Sequence, residues 1–294
     1  MQMVLTLIAG PLCRTSLARL ANEIADAAGI VADLLWLARG KACDLIFDAA
    51  DPTLAEQAAR DIIAGAAVDV IVQPLADRCR RLLVADLEAT IIENEMLDEL
   101  ADFLGIRQQI SKITRRAMNG VIDFTTALEA RVALLTGMKA STLEKAAERI
   151  RLTAGARQLV ATMRSAGAVT ALVSGGFTVF AERVAAELGF DHVIANRLNL
   201  AKGRVTGKVL PPVVTGETKR DTLVALATAR GIPLRQTLAV GDGANDLPML
   251  AIAGIGAAFH AKQRVASAVR WRIDHADLTA LLYLQGYRKD EFVV

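Results

Sequence analysis

The chain has 294 residues, 53% of them hydrophobic, with 34 basic and 32 acidic side chains for a formal charge of +2. That length and apolar content allow two domains with proper cores, and the balanced charge with only 4% aromatics excludes a nucleic-acid stacking surface or a polybasic membrane patch. Cys13, Cys43 and Cys79 are odd in number and form no CxxC pair, which argues against a disulfide framework or zinc site and for buried thiols in a reducing compartment.

The first segment, Met1 to Gly10, is apolar without a basic leader, and no later run reaches the roughly 18 uncharged residues of a membrane span, so the chain reads as cytoplasmic. From there the pattern predicts a strand over Met3–Ala9, a helix over Ser16–Ala28, strands over Asp33–Ala38 and Ala42–Asp48, a helix over Thr53–Ala64 and a strand over Asp69–Gln73. Pro11, Gly29, Gly40, Pro52 and Pro74 punctuate these elements. The result is a βαββαβ unit of ferredoxin-like type over residues 1–76. It holds no polar cluster fit for chemistry and reads as a regulatory or dimerisation module, or as a stabilising one.

A second domain over residues 77–294 alternates strand and helix, with strands near 82–86, 168–173, 192–194 and 237–241 and another over Ile255–Phe259, the pattern of a doubly wound α/β parallel sheet. Between its first two strands, residues from about 96 to 150 keep helical periodicity through Leu97, Leu100, Ala101, Leu104, Ile110, Ile113, Leu128, Val132 and Leu135. Such an insertion is far longer than an ordinary βα connection and predicts a helical cap over the strand ends.

The polar residues that could do chemistry lie where strands end, the edge at which open α/β sheets bind ligands. Asp86-Leu87-Glu88-Ala89-Thr90 follows the apolar run Leu82–Ala85. Asp86 is placed to attack phosphorus, Glu88 to act as general acid and then base, and Thr90 to position the turn or the phosphate. Val173-Ser174-Gly175-Gly176-Phe177 follows a strand and opens a helix, so its amides and the Ser174 hydroxyl could cradle phosphate. Lys219 starts a later helix and could neutralise phosphoryl oxygens. In Gly241-Asp242-Gly243-Ala244-Asn245-Asp246, Asp242 can bind a metal while Asn245 and Asp246 order the neighbourhood. Carboxylates gathered at one edge suit Mg²⁺, which prefers oxygen ligands and shares them with substrate phosphate. His192, His260 and His275 are too dispersed for an imidazole site and read as structural.

Together these four motifs, with His260-Ala261-Lys262 and His275-Ala276-Asp277-Leu278-Thr279, resemble the phosphoserine phosphatases of the haloacid dehalogenase superfamily over about residues 80 to 290. The resemblance implies a Mg²⁺-dependent phosphomonoesterase acting on a small molecule, O-phosphoserine, through an aspartyl-phosphate on Asp86, as in the last step of serine biosynthesis. It implies metal ligation by the Asp86 carboxylate, the main-chain oxygen of Glu88 and Asp242, and phosphate binding by Ser174, Gly175 and Lys219. Glu95 and Arg131 match the positions that take the substrate ammonium and carboxylate, Asn245 a further substrate contact, and Met118 and Phe124 the cap residues that close over it. The amino-terminal unit is similar to the ACT-like domain of longer members.

One position departs from the pattern: the family has aspartate where this chain has Glu88, and the added methylene moves the carboxyl by on the order of 1 Å. The rival expectations are another phosphorylated amino acid or amine as substrate, a phosphoserine or serine sensor disabled by Glu88, and a phosphotransferase. A homodimer is compatible with the sequence, which leaves the oligomeric state open.

Overall fold

The computed structural model describes residues 1–49, 51–118 and 121–294. It opens with β1 (Gln2–Ala9), α1 (Leu17–Ala28), β2 (Ala32–Ala38), β3 (Ala42–Asp48), α2 (Thr53–Ile62) and β4 (Val68–Pro74). The strands form an antiparallel sheet in the order β2-β3-β1-β4, the ferredoxin-like arrangement. The helix boundaries follow local chemistry. Ser16 caps α1 by accepting from Arg19 N, and Gly29 ends it in the left-handed region that glycine enters without steric cost.

Both faces of this sheet are covered. Leu5, Leu7, Cys43 and Leu45 pack beneath α1 and α2 with Leu20 and Ile24. Ile8, Ala42 and Ile71 point the other way and join the main core of the rest of the chain. Polar contacts reinforce that junction: the buried Asp44 carboxylate takes Arg78 Nη2 at 2.7 Å and Thr6 Oγ1 at 2.7 Å, and Gln73 Nε2 donates to Leu284 O at 2.6 Å. Asp69 accepts the backbone N–H groups of Asp274, His275 and Ala276 at 2.8 to 3.3 Å. Of the thiols expected to be buried only Cys43 is; Cys13 is half-buried and Cys79 exposed, because the connecting segment that carries Cys79 runs over the surface.

Next come β5 (Leu82–Ala85) and a helical insertion of α3 (Met96–Leu104), α4 (Arg107–Met118), α5 (Phe124–Ala133) and α6 (Ala140–Ala147), as the periodicity predicts. An antiparallel bridge from Ile92 to Leu152 clasps its base. The chain continues with α7 (Ala156–Ser165), β6 (Val169–Phe177), α8 (Thr178–Leu188), β7 (His192–Ala201), β8 (Arg204–Leu210), α9 (Gly216–Ala229), β9 (Thr237–Gly241), α10 (Leu247–Ile252), β10 (Ile255–Phe259), α11 (Gln263–Ala266), β11 (Trp271–Ile273) and α12 (Ala280–Tyr283). The sheet order is β11-β10-β9-β5-β6-β7-β8, so β5 and β9, which carry the acidic motifs, are neighbours.

Three details differ from the sequence reading. The short strand expected at 192–194 is the first arm of a long β7–β8 hairpin; β7 runs parallel to β6, and β8 is antiparallel at the edge of an otherwise parallel sheet. Its turn, Lys202-Gly203, has φ of 49° and 70°, the doubly positive conformation of a tight hairpin. The strand expected to stop at Val173 runs to Phe177, with its register broken between those two residues. The three-residue edge strand β11 was not anticipated, being too short for a periodic signal. Among the described residues no helix is long and apolar enough to cross a membrane.

Candidate active site

The site is built where β5, β6 and β9 end. Asp86 directly follows β5 and is 5% exposed, its N–H bonded to Val240 O at 3.0 Å, which locks the two acidic strand ends together. The chain then turns sharply: Glu88 is extended (φ −72°, ψ 139°), Ala89 is left-handed (φ 51°), and Ile92 N–H closes the turn on Leu87 O. This turn sends the Glu88 carboxyl back toward the strand end, where Oε1 accepts Met96 N–H at 2.9 Å. A Cβ on Gly176 would lie 3.0 Å from Glu88 Cδ and Oε2, so the bare glycine leaves room for the longer glutamate side chain. Thr90 has no part in this: its hydroxyl is buried without a hydrogen-bond partner among the described residues.

Beneath the cavity floor, Lys219 is 1% exposed and its Nζ lies 2.6 Å from both Asp86 Oδ1 and Asp246 Oδ1. Thr215 places it by capping α9 with a reciprocal Thr215–Thr218 pair. Asp246 Oδ2 accepts Gly243 N–H at 2.9 Å. Carboxylate oxygens of Asp86, Asp242 and Asp246 lie within 4.8 Å of one another, a hard-oxygen set that suits a divalent cation. Asp246 thus stands in the carboxylate cluster, whereas the sequence reading assigned it only an ordering part. The Glu88 carboxyl is outside that cluster, so any share it has in ligation falls to its main chain.

Asn196, which no motif singled out, holds the phosphate-type loop in place. Fully buried, it donates Nδ2 to Gly175 O and accepts Val214 N–H, both at 2.8 Å, tying the β6 end to the segment that leads into α9. Ser174 is likewise buried and its Oγ accepts Gly176 N–H at 2.9 Å. Lone polar residues of this kind leave no spacing signal, because their partners are backbone groups of distant strands.

Above the floor is a cavity of about 620 Å³ lined by Asp86, Glu88, Glu95, Arg131, Gly175, Asp242 and Asn245, with Phe124, Lys262 and Arg264 around it. The cap supplies Phe124, whose ring would meet a Cβ on Gly175 at 3.0 Å. Ser174 and Lys219 do not line the cavity and act from below its wall. Glu95 occupies the position preceding α3, yet makes no side-chain cap bond, so its carboxylate is left to the cavity. Arg131, in the last turn of α5, donates Nε to Ala127 O at 3.1 Å, and burial lowers its pKa against the opposing charges of Glu88 and Glu95. The side chain of Met118 lies outside the described residues.

Crowded acids shift one another. Burial and Asp246 push the Asp86 carboxyl up to about 7 against the pull of Lys219, and burial with Asp246 and Glu95 pushes Asp242 to about 7. Burial and Glu95 push Glu88 up to about 8. A protonated Glu88 beside an Asp86 held by a buried lysine is the division of labour that acid catalysis with a carboxylate nucleophile needs.

The haloacid dehalogenase-like hydrolase family model matches residues 83–251. A phosphoserine phosphatase of Streptomyces coelicolor is 35% identical over 98% of this chain and 71% of its own length. One of Lactococcus lactis is 43% identical over 68% of this chain and 93% of its own. The crystal structure of a probable phosphoserine phosphatase from Vibrio cholerae superposes with a TM-score of 0.78 at 28% identity, covering 99% of this chain and 88% of that one. A family model that matches more than half of the chain, together with relatives at 35% and 43% identity, shows that the chain belongs to the haloacid dehalogenase-like hydrolases.

Proposed function

We propose that this protein hydrolyses O-phospho-L-serine to L-serine and phosphate. The observation that carries the reading is one cavity lined both by Asp86, Asp242 and Gly175 and by Glu95 and Arg131. Phosphoserine has the matching charges, a phosphate dianion at one end and an ammonium and carboxylate at the other, where Arg131 can grip the carboxylate in bidentate fashion.

An ionised Asp86 oxygen attacks phosphorus in line as the bond to the serine oxygen breaks, and Glu88 gives its proton to that oxygen. Glu88, now a carboxylate, takes a proton from water as the water oxygen attacks the aspartyl-phosphate. The phosphorus–Asp86 bond breaks, returning the carboxylate and releasing phosphate. Lys219 keeps Asp86 ionised, Ser174 and Gly175 orient the phosphoryl group from the bulged strand end, Asn245 contacts the substrate, and Phe124 of the cap limits water. Asp86, Asp242 and the main-chain oxygen of Glu88 would hold Mg²⁺. When bound, the ion supplies Lewis-acid stabilisation of phosphoryl charge.

Residues 1–76 form an ACT-like regulatory or dimerisation unit and 77–294 the catalytic domain with its cap at about 96–150, in a cytoplasmic enzyme. The sensor alternative gains no support from Glu88, whose carboxyl faces the cavity at a raised pKa. The direct test is phosphate release from O-phosphoserine with and without Mg²⁺, beside other phosphomonoesters and an Asp86→Asn variant. Metal-dependent preference for phosphoserine that Asp86→Asn abolishes is the expected result. Release that persists in the variant overturns the covalent route.

A further inference from the structure

The chain enters the cap through residues 91–95 and leaves it through 149–153, and the two crossings lie side by side. Glu93 N–H donates to Arg151 O at 2.9 Å and Thr153 N–H to Ile91 O at 3.0 Å, on either side of the Ile92–Leu152 bridge. Asn94, 3% exposed, fastens these crossings to the first cap helix. Its Oδ1 accepts Arg151 N–H at 2.8 Å and its Nδ2 donates to Glu99 Oε1, within α3, at 2.8 Å. The other Glu99 oxygen lies 3.4 Å from Arg149 Nη1, whose guanidinium covers the Phe103 ring at 4.0 Å.

The residues that follow Asn94 face the chemistry. Glu95 precedes α3 in an extended conformation (φ −99°, ψ 102°), accepts the N–H groups of Asp98 and Glu99 at 3.0 and 3.1 Å through its main chain, and lines the cavity with its side chain. Met96, the first residue of α3, gives its N–H to Glu88 Oε1 at 2.9 Å. A buried amide bonded on both sides favours one placement of this turn, because moving it leaves polar groups unpaired away from water.

We propose that Asn94 is a positioning residue for the reaction: by pinning the first turn of α3 to the returning crossing, it fixes both where Met96 N–H holds the Glu88 carboxyl and where Glu95 meets the substrate ammonium. The inference rests on the reading of the cavity as a phosphoserine site, with Glu88 as the acid and Glu95 as the ammonium partner.

Asn94→Asp, Glu99→Gln and the double variant of the full chain test it. Asn94→Asp keeps an acceptor for Arg151 N–H but sets a carboxylate against that of Glu99, and like charges in a largely buried place push apart. Glu99→Gln leaves Asn94 an acceptor, and in the double variant carboxylate and amide exchange places, so the donor and acceptor match again. The readout is kcat/KM on O-phosphoserine and on an aryl phosphate without an ammonium group, since kcat/KM reports formation of the aspartyl-phosphate, the step in which Glu88 protonates the leaving oxygen. Asn94→Asp should lower it about 10²-fold for phosphoserine, the scale of a 1 Å misplacement, and far less for the aryl phosphate. Glu99→Gln should stay near the wild type, and the double variant should regain most of the loss. A merely structural role depresses both substrates alike and leaves their ratio unchanged. Equal losses on the two substrates, an unchanged Asn94→Asp, or a double variant no better than Asn94→Asp overturns this inference alone. A wild-type protein without phosphoserine turnover overturns it together with the reading of the cavity.

Discussion

Replacing Lys219 by methionine tests the electrostatic centre of the site. At 2.6 Å from each of two carboxylates, the ammonium has a gross attraction of roughly 6 kcal/mol per pair at an effective dielectric constant of about 20. Most of that offsets desolvation, and removing one partner of a buried pair costs about 3–5 kcal/mol because the other is stranded. Here two are stranded, so the upper part of that range is expected near pH 8.

The loss must depend on pH in one direction. Burial and Asp246 raise the Asp86 pKa in the fold to about 7, above the ordinary aspartate value of 3.8, so the folded state keeps a proton that the unfolded chain has released. Stability therefore falls as pH rises through that window, and without Lys219 the window extends upward. Near pH 5.5 protonation of Asp86 relieves one of the stranded acids, so the loss shrinks toward the packing change of lysine to methionine, about 1 kcal/mol. Urea unfolding of both proteins at the two pH values, without divalent cation, reads the difference. A loss below about 1 kcal/mol at pH 8, or an equal loss at both values, refutes the argument that Lys219 neutralises buried charge.

Glu88→Gln should slow phosphoserine hydrolysis by about 10²- to 10⁴-fold but an aryl phosphate far less, since phenolate departs without a proton; equal losses would deny Glu88 the role of acid. Because Asp86 and Asp242 both lie near 7, the melting temperature of the cation-free protein should fall from about pH 5 to pH 8, and Mg²⁺ should raise it more at pH 8; an Mg²⁺ effect independent of pH would contradict the carboxylate cluster as its site. Gly176→Ala should lower kcat about tenfold by displacing the Glu88 carboxyl a few tenths of an ångström, and an unchanged kcat would show that Gly176 does not set that position. Asp69→Ala should cost about 2 kcal/mol in urea unfolding by freeing three backbone amides, and a change under about 0.5 kcal/mol would mean water replaces the carboxylate without loss.

Local pattern sufficed for much of this protein. Alternating apolar runs, punctuating glycines and prolines, and the helical period from 96 to 150 specify the ferredoxin-like unit, the strands bearing the acidic motifs and the cap, since those signals depend on neighbours in the chain. Asp86, Glu88 and Asp242 were legible for the same reason, each following an apolar strand at a fixed offset. The identities of their partners were not. Lys219 reads from the sequence as a cation for phosphate, and its pairing with Asp86 and Asp246 arises only once α9 carries it beneath them, while Asn196 belongs to no motif at all. The β7–β8 hairpin emerged only with the cap, where Gly137 N–H bonds Val205 O and Lys139 bridges Arg204. Sequence spacing states which residues can share a strand end or a helix face. Which of them meet across 27 to 133 positions, as Asp86, Lys219 and Asp246 do, is decided by sheet order and burial, because only a closed core makes an unpaired charge costly enough to demand its partner.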